Sequence, residues 1–103
     1  MNNNKKAILN LLGIARRAGQ IKSGEGTVLQ AVRNEKTNLV FLAKDAGAAT
    51  KKKVMDKCNF YQVTLCQLFT KQELSQAIGQ PRTIICITQS GFTRKFEELL
   101  TME

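Results

Sequence analysis

The segment Ile21-Lys-Ser-Gly-Glu-Gly-Thr27 carries the clearest chemical signal in this chain. A short extended stretch runs into a turn bracketed by Gly24 and Gly26, and the turn opens a helix. Glycines leave the N–H groups of such a turn uncovered, and the first N–H groups of any helix lack a partner within it. Lys22 lies inside the segment and Arg16 and Arg17 lie just before it. Bare donors at a helix start, surrounded by cations, favour an anion. Taken alone, Gly-x-Gly is also what a tight strand-to-helix turn needs. It is not a dinucleotide fingerprint, because position 29 is Leu29 rather than glycine, and no Gly-Lys-Ser/Thr of a P-loop follows.

Thr50-Lys-Lys-Lys53 is a second anion-seeking pattern. With Thr50 as helix cap, Lys51, Lys52 and Lys53 fill the first turn, where the helix dipole disfavours cations by about 0.3–1 kcal/mol each. An external anion would offset that. A helix that starts elsewhere, with the lysines simply facing water, is the other reading.

Catalytic chemistry finds little support. The chain has no histidine, so Ser-His-Asp and Cys-His catalysis and His-ligated zinc are excluded. The carboxylates are scattered, and the adjacent Glu97 and Glu98 point apart on a helix. Nothing near a lysine or cysteine would activate it as a nucleophile. No enzyme, no cofactor and no metal site is expected. Cys58, Cys66 and Cys86 are odd in number, form no Cys-x-x-Cys and sit in apolar contexts. They read as buried thiols of a reducing, cytoplasmic compartment. No signal peptide and no membrane span is read from the sequence.

The elements that must position these residues follow from periodicity. Ile8, Leu11, Leu12 and Ala15 form the apolar stripe of a helix from about Asn4 to Ala18, ended at Gly19. A strand over Ile21–Ser23 and a helix carrying Val28, Leu29 and Val32 come next. Leu39–Ala43 is an unbroken apolar run, as in a strand buried on both faces. A helix over Ala48–Cys58 and a strand centred on Val63–Leu65 follow. Thr70-Lys-Gln-Glu73 has the form of a capping box and opens a helix to Ile78, closed by Gly79 and Pro81. Thr83–Ile87 reads as a second buried strand. The last helix starts near Ser90 and turns Phe92, Phe96, Leu99 and Leu100 inward, although Phe92 could instead anchor the Thr88–Gly91 loop. The order α-β-α-β-α-β-α-β-α makes an α/β fold, a small sheet with helices on both faces. At 103 residues, residues 1–103 are expected to form a single domain. Phe41, Phe60, Tyr61, Phe69 and Phe96 stand at core-like positions, and no surface stacking ladder is visible.

The formal net charge is +8, and its distribution says more than its size. Residues 1–57 hold 12 Lys and Arg against 4 Asp and Glu, whereas residues 58–103 balance. A basic half joined to a neutral half points to one charged face and a nucleic-acid partner. A solvated surface chosen for solubility is the bland alternative, but it needs no such asymmetry.

The chain resembles the archaeal-type kink-turn RNA-binding ribosomal proteins, the superfamily with Pelota-like RNA-binding domains, and within it the small bacterial YlxQ-like branch. The resemblance rests on Gly13-Ile-Ala-Arg-Arg-Ala-Gly19, Lys22-Ser-Gly24, Ala31-Val32, Leu39-Val-Phe-Leu-Ala-Lys-Asp45, Thr50-Lys-Lys-Lys53, Lys57-Cys58, Glu73-Leu74 and Ala77-Ile-Gly79, in that order. It implies a three-layer α/β/α sandwich around a mixed four-stranded sheet. It also implies a mode of RNA binding. The turn from Lys22 to Thr27 meets the sheared G·A pairs of a bent RNA, the Thr88–Phe92 loop lies against the kinked strand, and nearby cations take phosphates. The well-known binders carry Gly-Thr-Asn-Glu at the turn and read the G·A pairs with the Asn and Glu. Here Glu25, Gly26 and Thr27 stand there, and Gly26 has no side chain to read with.

The expectation is a non-enzymatic binder of structured RNA, kink-turn-like or related, associated with ribosomes or translation. Its contacts would be Lys22, Ser23, Gly24, Glu25, Gly26 and Thr27; Arg16, Arg17 and Lys44; Lys51, Lys52 and Lys53; and Gln89, Ser90 and Gly91. The partners would be ribosomal or other non-coding RNA and ribonucleoprotein components, and the protein a monomer away from membranes. The alternative is a basic module that docks an acidic protein.

Overall fold

The computed structural model describes residues 3–101. Its elements are α1 (Asn3–Arg17), β1 (Ile21–Ser23), α2 (Glu25–Arg33), β2 (Leu39–Leu42), α3 (Ala48–Phe60), β3 (Thr64–Cys66), α4 (Lys71–Ile78), β4 (Ile84–Ile87) and α5 (Ser90–Thr101). The strands form one mixed sheet in the order β1-β4-β2-β3. β4 runs antiparallel to both β1 and β2, and β2 is parallel to β3.

The two central strands sort their side chains strictly by alternation. Leu39, Phe41, Ile85 and Ile87 join a core with Ile8, Leu12 and Ala15 of α1, Leu74 and Ile78 of α4 and Phe96 of α5. Val40, Leu42, Ile84 and Cys86 join a second core with Val28, Leu29 and Val32 of α2 and Val54 and Cys58 of α3. Side chains alternate across a strand, so a run that is apolar at every position must be covered on both faces. The result is the α/β/α sandwich, with α1, α4 and α5 on one face and α2 and α3 on the other. Phe41 joins the first core to Phe69 at 6.3 Å and to Phe96, edge-on, at 5.2 Å between centroids.

No buried side-chain nitrogen or oxygen among the described residues lacks a hydrogen-bond partner. The buried Thr37 hydroxyl donates to the Ile87 carbonyl at 2.6 Å, tying the approach to β2 onto the end of β4. At the start of α4, the Thr70 hydroxyl accepts from the Glu73 N–H while the Glu73 carboxylate accepts from the Thr70 N–H. The capping box is therefore present as the sequence predicts. Gly79 ends α4 in the left-handed region at φ 80°.

Two expectations about α3 change. Its cap is Gly47, with no side-chain capping bond, so Thr50 is the third residue of the helix rather than its cap. Lys51, Lys52 and Lys53 then lie beyond the first-turn amides, and the dipole argument for three costly cations loses most of its force. The helix also runs on to Phe60, and this carries the Phe60 ring out of the core to 74% exposure.

Candidate nucleic-acid interface

Hydrogen bonds at the strand ends define where the predicted residues meet. The Gly24 N–H donates to the Ile84 carbonyl at 3.1 Å, and the Ala43 N–H to the Thr83 carbonyl at 2.8 Å. The C-terminal ends of β1 and β2 therefore finish together, at the start of β4. This places the Ser23–Thr27 turn, the Lys44–Gly47 loop and the start of α3 at one end of the sheet. Gly24 caps α2 with φ 96° and ψ 143°, a backbone state that an L side chain resists. Neither Gly24 nor Gly47 gives its helix a side-chain cap. Two helix N-termini thus stand open side by side, on two helices that share one face of the sheet. By contrast, α4 has its capping box, with the Lys71 N–H also bonded to Asp45 at 2.9 Å, and α5 has the Gln89 side chain accepting from the Phe92 N–H at 3.0 Å.

Glu25, the first residue of α2, crosses to α3. One carboxylate oxygen accepts from Lys53 at 2.9 Å and the other from the Thr50 hydroxyl at 3.3 Å. The Lys53 ammonium, by hydrogen bond and then by charge, holds the Glu25 carboxyl below its usual range, with the Thr50 hydroxyl helping and partial desolvation opposing. The Lys53 and Glu25 side chains are 58% and 38% exposed, so the pair orients the two helices more than it stabilises them. Lys52 pairs instead with Asp56 on the outer side of α3, at 3.1 Å. Lys22 is exposed on the edge strand β1 and lines an open groove with Thr27, Gln30, Asn34 and Lys36. Lys44 is exposed, its N–H bonded to the Phe69 carbonyl.

Other predicted residues lie elsewhere. Ile21 pairs with Ile87, and the Thr88 N–H donates to the Gln20 carbonyl at 3.0 Å. Gln89, Ser90 and Gly91 therefore stand at the opposite end of the sheet from the Gly24 turn. The four residues of β4 span about 10 Å between those ends. The Thr88–Phe92 loop, expected to lie against the kinked strand, is therefore set apart from the turn by the length of β4. Arg16 and Arg17 end α1, which feeds the N-terminal end of β1 on the other face of the sheet. They are exposed and do not join the cluster.

The segment that does reach the turn is the α4–β4 connection. The Arg82 guanidinium donates to the Ser23 hydroxyl at 3.0 Å and to the Pro81 carbonyl at 2.7 Å. Sequence reasoning missed Arg82. Its only signal was its place just before an apolar strand, which matters once that strand is known to run antiparallel to β1.

The three cysteines are buried and free. Burial pushes all three thiols up, Cys58 to about 11 with help from Cys86, so they are protonated at neutral pH. No group of three or more His, Cys, Asp or Glu side chains that could hold a metal occurs among the described residues. None of the described helices is long and apolar enough to cross a membrane.

The family model for the ribosomal protein L7Ae/L30e/S12e/Gadd45 family matches residues 6–96. The chain belongs to that family. It is 43% identical over 97 residues to an Enterococcus faecium protein named RNA-binding protein YlxQ, covering 94% of each chain. A Bacillus subtilis (strain 168) protein of the same name is 41% identical over 91 residues, 87% of this chain and 91% of that one. Among solved structures, a Bacillus halodurans protein described as of unknown function superposes with TM-score 0.87 at 43% identity, over 92% of this chain and 97% of its own. The Giardia lamblia 15.5kD RNA binding protein shares the fold, with TM-score 0.78 at 22% identity, over 96% of this chain and 92% of its own.

Proposed function

We propose that this chain binds structured RNA without catalysing a reaction, as one RNA-binding domain and a monomeric component of a translation-linked ribonucleoprotein in the cytoplasm. The observation that carries this reading is the pair of open helix N-termini at Gly24 and Gly47, gathered at one sheet end with Lys22, Lys44, Lys51, Lys53 and Arg82. Unpaired N–H groups and fixed cations over one surface suit a phosphate backbone. The names of the two YlxQ relatives support RNA as the polyanion.

In this reading the Ser23–Thr27 turn approaches the bases, and Lys22, Lys51, Lys53 and Arg82 take phosphates. Gly26 brings only backbone to the ligand, so recognition leans on the shape of a bent RNA, kink-turn-like or related, more than on side-chain reading of base edges. Glu25 is held by Lys53 and Thr50, which fixes the turn against α3.

The test is crosslinking in cells followed by sequencing of bound RNA, comparing the wild-type chain with a Lys51→Gln/Lys53→Gln variant. A set of structured ribosomal or other non-coding RNAs, enriched with the wild type and depleted with the variant, is the expected result. Absence of any enriched RNA sinks the reading, as does a partner retained after nuclease treatment.

A further inference from the structure

The C-terminal end of α3 carries a feature that phosphate binding leaves unused. Phe60 is the most exposed large apolar side chain among the described residues, at 74%. Its ring meets Tyr61 edge to face, with centroids 4.9 Å apart and planes at 79°. At that exposure most of the Phe60 ring surface stays open to solvent despite the contact. The two rings, with Asp56 and Lys57, line an open recess of about 340 Å³. Asp56 is already paired with Lys52.

Position along the helix links this recess to the interface. Lys53, Lys57 and Phe60 follow at spacings of four and three, so they form one stripe along α3. The stripe begins at the Lys53–Glu25 contact beside the glycine turn and ends on the aromatic pair. Seven residues of helix cover about 10 Å, so one RNA strand can touch both ends. A ring face open to solvent, reached along a row of lysines, is how single-stranded nucleic acid is held: rings stack bases and cations take the backbone. A paired helix cannot use such a ring, because its bases are stacked on one another. An apolar protein surface would gain nothing from the lysine row.

Resting on the RNA-binding reading, we propose that Phe60, braced by Tyr61, stacks an unpaired nucleobase of a single-stranded segment leaving the RNA held at the Gly24 turn, with Lys57 on the adjoining phosphate. The site adds a preference for RNA whose bent element continues into an unpaired strand.

The experiment uses the full chain and a stem–internal loop–stem RNA with tandem sheared G·A pairs, made blunt and with a short oligouridine tail at either end. The wild type binds one tailed RNA more tightly than the blunt one. Phe60→Ala binds the blunt RNA as the wild type does and loses the gain from the tail, about fivefold or more. Phe60→Trp keeps it. Phe60 is exposed enough that both variants should fold, which thermal unfolding verifies. A tail gain that survives Phe60→Ala, or no tail gain in the wild type, overturns the stacking site while leaving the interface standing. Failure of the wild type to hold either RNA removes the kink-turn-like reading and the stacking site with it. A sedimentation dimer that Phe60→Ala converts to monomer, with tail gain absent, assigns the face to a second copy of the chain instead.

Discussion

At the end of the sheet where β1 and β2 finish, α2 and α3 begin on glycine caps, and no side chain closes either helix. At the opposite end, α5 begins beside Gln89, whose own side chain bonds the Phe92 N–H, and the two arginines of α1 stand exposed nearby. Both ends offer a helix start, a glycine and cations. They differ in whether the helix start is already satisfied. Composition marks both ends as anion sites, and only hydrogen bonding separates them. An anion site needs cations together with donors that nothing internal has claimed.

The largest break in this comparison should come from charge. Lys51→Gln/Lys53→Gln should weaken binding of a structured RNA and lower the dependence of log affinity on log salt by about one for each lysine removed. Arg16→Gln/Arg17→Gln, at the other end, should leave that slope unchanged. A salt titration by filter binding reads both. Equal losses from the two pairs would make the whole basic half, rather than one sheet end, the interface.

The glycines give the next effect. Gly24 sits at φ 96° with no atom within 4 Å of an added Cβ, so Gly24→Ala meets backbone strain alone, costing about 1–3 kcal/mol. Gly91 has no such φ, and an added Cβ meets the flexible end of Gln89 at 2.9 Å. Gly91→Ala should stay within about 1 kcal/mol of zero, because the gain in helix propensity offsets the displaced cap. Urea denaturation separates the two, and a neutral Gly24→Ala would show that the turn is not fixed by its glycine.

The smallest effect belongs to Glu25. Its carboxyl is held below the ordinary 4.5, so its contribution to stability is complete above that value and fades as pH falls through the lowered one. Glu25→Gln should therefore be slightly less stable than the wild type at neutral pH, and the difference should close in acid. Denaturation curves across the acid range check this. A gap that stays constant with pH would mean that the Lys53 contact carries no charge term.

Much of this architecture is legible in the residues. Leu39–Ala43 and Thr83–Ile87 are apolar at nearly every position, which announces strands covered on both faces. Thr70 and Glu73 announce the start of α4. What is not legible is which strands neighbour one another. Ser23 and Arg82 are 59 residues apart and meet only because β4 lies antiparallel to β1. The same pairing sends Gln89–Gly91 to the far end of β4 from the turn, a separation that the spacing of residues along the chain does not reveal. Gly47 caps α3 without any side-chain bond, so nothing in its chemistry marked it, and Thr50, a good cap by type, competed with the start at Ala48 that the structure shows. Phe60 looked like core because its type is apolar; its position on the helix, two residues past Cys58, turned it outward.

The partition of aromatics between the two cores has a further consequence. Phe41, Phe69 and Phe96 all lie in the core beneath α1, α4 and α5, whereas the buried residues beneath α2 and α3 are aliphatic or cysteine. Alternation along β2 puts Phe41 on one side and Val40 and Leu42 on the other. A one-residue slip of β2 would drive the phenylalanine into the layer shaped for smaller side chains and leave a void where it had been. Both errors are steric, and neither can be relieved by water. The chain thus rejects a misaligned sheet by volume, in a molecule whose central strands are too uniformly greasy to reject it by polarity.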